Sequence, residues 1–172
     1  TKPYSKNIKK TNRTTYAMDS KYIFRNDSLG FISILDDAYP GVKSEKKFVL
    51  KNYDILKEFY KPKIKGFKTI GLTCAERRLK NNEWKPMIVK LVENMPEGGL
   101  IKLHPSFSAS KKKRKKIESF LKHNYNFIAL CSDDIIIELE MLHEKKKLIG
   151  SLTSLNKYAD AFGSEFIKVD LY

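Results

Sequence analysis

Gly99-Leu100-Ile101-Lys102-Leu103-His104-Pro105 is the stretch that decides the fold. A short, almost unbroken apolar run reads as a strand covered on both faces, the kind that parallel sheets use. It ends abruptly in a histidine, and Pro105 restricts the backbone of the residue before it. Working outward, the same grammar repeats. Residues 67–73 read as a strand and 76–95 as a helix carrying Trp84, Ile88, Leu91, Val92 and Met95, with Pro86 marking a kink or a late start. Residues 110–123 form a helix with Ile117, Phe120 and Leu121 on one face, and 125–130 a strand. A helix over 133–143, a strand over 147–149, a helix over 153–162 ending near Gly163 and a strand over 166–171 complete the series. Strands alternating with helices at this spacing imply βαβ units, hence an α/β chain with a Rossmann-like, doubly wound parallel sheet over 66–172.

Upstream the pattern loosens. Residues 1–28 are rich in Lys, Asn, Thr and Ser and read as an irregular lead-in, 29–35 as a strand, 48–60 as a short helix and 62–66 as a basic linker. The expected division is therefore an N-terminal extension over 1–65 and a folded domain over 66–172. The chain starts at Thr1, so a longer gene product is expected. At 172 residues, 41% apolar and 12% aromatic, it has room for one well-buried domain. No apolar run approaches the roughly 18 residues of a membrane span, and no signal peptide is visible. Cys74 and Cys131 end apolar runs and read as reduced core thiols; with three scattered histidines they show no zinc spacing. The balance of 34 Lys and Arg against 20 Asp and Glu gives a net charge of +14. Such a surface concentrates anions, whether nucleic acid, an acidic membrane leaflet or an acidic polysaccharide.

Several residues carry candidate chemistry. His104 stands at the carboxyl end of a strand, where open α/β sheets bind ligands, and an imidazole there can donate to a phosphate or protonate a leaving group. The competing reading is a turn histidine. Gly150-Ser151-Leu152-Thr153-Ser154-Leu155 follows the next strand but one, so Ser151, Thr153 and Ser154 are placed to meet an anion or simply to cap a helix. Together with His104 they suit a phosphate-bearing ligand such as a nucleotide sugar. Asp36-Asp37, before Ala38-Tyr39-Pro40-Gly41, reads either as a general base for a sugar hydroxyl or as turn chemistry. Glu138 and Glu140 point in different directions on a helix, so one is the candidate for ribose hydroxyls and the other for solvent. The run Lys111-Lys112-Lys113-Arg114-Lys115-Lys116 reads as a solvated face or as a track for a polyanion; it lacks the interleaved aromatics of a single-strand stacking platform.

The order Lys102-Leu103-His104-Pro105, then Ile137-Glu138-Leu139-Glu140-Met141-Leu142, then Gly150-Ser151-Leu152-Thr153-Ser154-Leu155 resembles the C-terminal nucleotide-binding half of bacterial sialyltransferases of the two-domain GT-B type, with capsule polysialyltransferases the nearest comparison. The resemblance covers roughly residues 67–172. It implies transfer of sialic acid from CMP-sialic acid to a glycan, with inversion and without a metal or other cofactor. His104 would then protonate or stabilise the leaving phosphate, Thr153 and Ser154 would bind it with Ser151 as a rival, and Lys102 and Pro105 would line the donor site. Glu140, or its rival Glu138, would hold the ribose. Asp37 would be the general base, in an acidic motif that has Ala38 where the family has Gly. On this reading residues 1–65 are a remnant of an acceptor-side domain, and the chain is a fragment or a short relative. Expected partners are the CMP-sugar, an anionic glycan acceptor along residues 111–116, and an acidic membrane surface at the cytoplasmic face. The alternatives are a phosphosugar or glycerophosphate polymerase of GT-B form, and a non-enzymatic basic domain binding nucleic acid or acidic polysaccharide.

Overall fold

Parallel strand pairing runs through both parts of the chain. A computed structural model describes residues 30–38, 43–79 and 83–171. The lead-in read over 1–28 and the Tyr39-Pro40-Gly41 turn lie outside the described residues. The chain divides into two compact units, Thr1–Leu50 and Lys51–Tyr172. In the first, β1 (Phe31–Ser33) and β2 (Lys47–Val49) pair in parallel with Ile32 opposite Phe48. The helix expected over 48–60 is thus divided: β2 takes its start, and α1 spans only Asp54–Phe59. The Asn52 side chain accepts the Asp54 N–H at 2.8 Å, an Asx turn that sets where the helix begins.

The second unit follows α1 with β3 (Thr69–Leu72), a 3-10 turn (Glu76–Arg78), α2 (Trp84–Glu93), β4 (Gly99–Lys102), α3 (Pro105–Ser108), α4 (Lys111–Asn124), β5 (Ile128–Leu130), α5 (Ile137–His143), β6 (Lys147–Gly150), α6 (Leu155–Ala161) and β7 (Glu165–Lys168). All five strands are parallel, in the order β5-β4-β3-β6-β7. Because side chains alternate across a strand, residues in register face the same side. Ile70, Leu100 and Leu148 are in register and pack with Ile135, Ile137 and Met141 at α5 and Ala159 of α6. Ile101 and Ile149 flank Gly71 in register and pack with Met87, Ile88 and Leu91 of α2 and with Ile117 and Leu121 of α4. Both faces of the sheet are therefore covered, as the apolar strands predict, in an arrangement compatible with a Rossmann-like fold.

Three differences have local causes. The helix expected over 76–95 starts only at Trp84, which puts Pro86 third in its first turn, where a missing N–H costs nothing. The helix expected from 133 starts at Ile137, after a turn in which the Ser132 hydroxyl donates to Asp134. Residues 51–65, assigned from sequence to the extension, belong to the sheet unit: α1 packs on α5, and Glu140 holds the segment that follows it. Gly150 serves strand packing, since a Cβ there would meet the Leu72 carbonyl oxygen at 2.6 Å. Both cysteines are free and buried, and burial raises their pKa values. Among the described residues, no helix is long and apolar enough to cross a membrane.

Candidate functional site at the carboxyl edge of the sheet

The chain leaves β3 through β4 to β5, then returns across the sheet to β6 on the other side of β3. Such a reversal opens a crevice at the carboxyl ends of the two strands that flank it, here β3 and β6, with β4 alongside. His104 follows β4 and is anchored by its own N–H, which donates to the Thr73 hydroxyl beyond β3 at 2.7 Å. Its ring caps α3: Nδ1 accepts the Ser106 N–H at 3.2 Å and lies 3.0 Å from the Ser106 hydroxyl oxygen. That oxygen accepts the Glu76 N–H at 3.0 Å, leaving its own hydrogen for Nδ1. With Nδ1 an acceptor, the neutral ring carries its proton on Nε2 and presents a donor. Partial burial, then Arg77 and Arg78, hold the imidazole below its usual pKa. The ring is thus a neutral N–H donor in positive surroundings.

The hydroxyl cluster is less uniform than its sequence suggests. Ser151 is buried and donates to the Val169 carbonyl at 3.3 Å. Thr153 Oγ1 accepts the Leu155 N–H at 3.1 Å, a local turn that opens α6. Ser154 is exposed, and its side chain makes no capping bond. Lys102 reaches sideways, donating to the carbonyls of Ser132 (2.8 Å) and Asp133 (2.9 Å) in the loop after β5.

Glu140 is buried in α5, where it accepts the Tyr60 hydroxyl at 2.6 Å and the N–H groups of Lys63 (2.8 Å) and Ile64 (3.3 Å). Those bonds make it a clamp on the approach to β3. Glu138, in the first turn of α5, is part-exposed. Pro105 is the first residue of α3, where its fixed φ suits a helix start. Asp36 and Asp37 lie in a turn after β1, in the N-terminal unit.

The basic run heads α4. Lys113 pairs with Glu76, and Arg114 bonds Asp133 (2.7 Å) and the Cys131 carbonyl (3.1 Å), so the run laces together the loops after β3 and β5. Lys111, Lys112, Lys115 and Lys116 are exposed. Sequence reasoning missed Thr73, Ser106 and Arg77. Only Arg77 had a signal, a pair of arginines just past a strand. Among the described residues no group of three or more His, Cys, Asp or Glu side chains is placed to hold a metal.

No family model, curated protein or solved structure matches this chain.

Proposed function

We propose that the sheet unit binds the phosphate of a nucleotide sugar at its carboxyl edge and serves as the donor half of a CMP-sialic acid-dependent glycosyltransferase, similar to GT-B sialyltransferases. One observation carries the reading: the His104 ring is held by Nδ1 with its Nε2–H donor free of that bond, beside Arg77 and Arg78 and next to the switch point. In that position the ring donates to a docked phosphate. The arriving negative charge raises the imidazole pKa, so the ring can take a proton and pass it to the phosphate as the glycosidic bond to the sugar breaks. Side chains supply the positive charge in this reading. Ser154 and Thr153 add hydroxyl donors, since Thr153 Oγ1 accepts the Leu155 N–H and keeps its own hydrogen; Glu138 replaces Glu140 as the ribose acceptor, because Glu140 is engaged in the fold. The donor places the reaction in the cytoplasm, at the inner membrane face when the acceptor is membrane-bound.

A second reading is a basic domain that binds acidic polysaccharide or nucleic acid. It is favoured by the four exposed lysines at the start of α4, a helix with no acid in its first turn. Calorimetric titration of the chain with CMP, CDP, UMP and a short oligonucleotide separates the two. Micromolar, CMP-selective binding that is lost in His104→Ala supports the donor site. Preference for CDP turns the assignment toward a phosphosugar polymerase. Binding only to the oligonucleotide, with strong salt dependence, leaves the basic domain.

A further inference from the structure

The 3-10 turn after β3 is fixed from two directions. Its Glu76 N–H donates to Ser106, whose hydroxyl also meets His104 Nδ1, and its Glu76 carboxylate pairs with Lys113 of α4. Thr73, at the base of the same turn, accepts the His104 N–H. Two of these bonds weld the turn after β3 to the turn after β4 and the third ties it to α4, and Arg77 is the residue next to that weld. Its side chain is exposed. The neighbouring acid is already neutralised by Lys113, and the acid of the next loop, Asp133, by Arg114. β3 is also one of the two strands that bound the switch-point crevice. A neutral imidazole offers an oxyanion a hydrogen bond but no counter-charge, whereas a guanidinium supplies both charge and a planar pair of donors.

We propose that Arg77 is the second anion-binding residue of the His104 site, the counter-ion of a phosphate group whose other oxygen takes the His104 Nε2–H. The proposal rests on the phosphate part of the reading above and not on the nucleoside or the sugar. The groups bonded to His104 are Thr73 from the β3 side and Ser106 from α3; the charges of Arg77 and Arg78 act on its ring from the turn after β3, and Glu76 is held by Lys113.

The test uses the whole chain, inorganic phosphate as probe, and NMR titration of the His104 ring in wild type, Arg77→Gln and Arg77→Lys. In wild type, phosphate should raise the His104 pKa. In Arg77→Gln without phosphate, the pKa should rise toward the ordinary histidine value because a positive neighbour has gone. Phosphate affinity should fall tenfold or more in Arg77→Gln, with partial recovery in Arg77→Lys. Unaltered phosphate affinity in Arg77→Gln, an unmoved His104 pKa, or no phosphate binding to the wild-type chain would each overturn the assignment. Thermal unfolding of each variant guards against loss of fold, and Arg77→Lys carries the test if Arg77→Gln unfolds. Phosphate binding without CMP binding would sink the CMP-sugar reading while leaving Arg77 where it is placed here.

Discussion

Around Glu140, the Tyr60 hydroxyl and the N–H groups of Lys63 and Ile64 converge on one buried carboxylate, and nearby Lys146 donates to the carbonyls of Ile64 (3.2 Å) and Phe67 (2.9 Å) and to Glu144. Around His104 the bonds run along one side only: its backbone N–H donates to the Thr73 hydroxyl, and its Nδ1 accepts the Ser106 N–H. The first cluster uses its donors and acceptors to hold residues 60–67 against α5; the second uses half of its ring and leaves the other half facing outward. Buried polar groups must be satisfied, so a fully engaged cluster is explained by folding alone. A side chain that is positioned but only half engaged is what a ligand site requires.

That contrast can be broken by substitution. Glu140→Ala strands the Tyr60 hydroxyl and two N–H groups, and should cost about 3–5 kcal/mol of stability by urea unfolding. A loss under about 1 kcal/mol would mean that the cluster is not the clamp described. Gly150→Ala drives a methyl into the Leu72 carbonyl and should cost about 1–3 kcal/mol, read as a lowered unfolding midpoint.

His104→Ala removes a helix cap and should cost about 1 kcal/mol or less, while phosphate or CMP binding disappears. If stability and binding fell together, His104 would belong with Glu140. The ring also gives a pH signature. Its native pKa lies below the 6.5 of an ordinary histidine, so the unfolded chain takes up the proton first. Stability is therefore full above 6.5 and declines as pH falls from there through the native pKa. The decline should be shallower in His104→Gln, as melting curves across pH 5 to 8 would reveal. The smallest effect belongs to the head of α4, where lysines oppose the helix dipole. Lys112→Glu should raise stability by about 0.3–1 kcal/mol, measured by thermal unfolding, and should weaken any binding of polyanions.

The sheet was legible because its strands are short apolar runs bounded by polar turns, a pattern set by burial on both faces. Position 104 was legible for the same reason: the end of such a run is the edge of the sheet. The strand order was not, because nothing local in 147–150 says that it returns to β3. Glu140 was misleading because its partners lie near residue 60, far along the chain, and a glutamate among isoleucines looks the same whether it awaits a ribose or holds a tyrosine. Ser151 and Thr153 looked equivalent to Ser154 until the carbonyl of Val169 and the N–H of Leu155 claimed two of the three. The stretch before residue 60 failed differently, since FVLKNYDILKEFY carries both strand and helix preferences and only the Asn52 side chain divides them.

The central place of β3 has a consequence for how the protein is made. Thr69 joins the sheet beside Lys147, so β3 acquires its second neighbour only after nearly eighty further residues have been synthesised. Pairing of β3 with β4 and of β4 with β5 closes loops of about thirty residues and can proceed on the emerging chain. The late arrival of β6 closes the longest loop of the sheet and should limit the folding rate. Until then the nascent chain holds His104 and Arg77 on a half-sheet, so the proposed site is completed only when β6 docks.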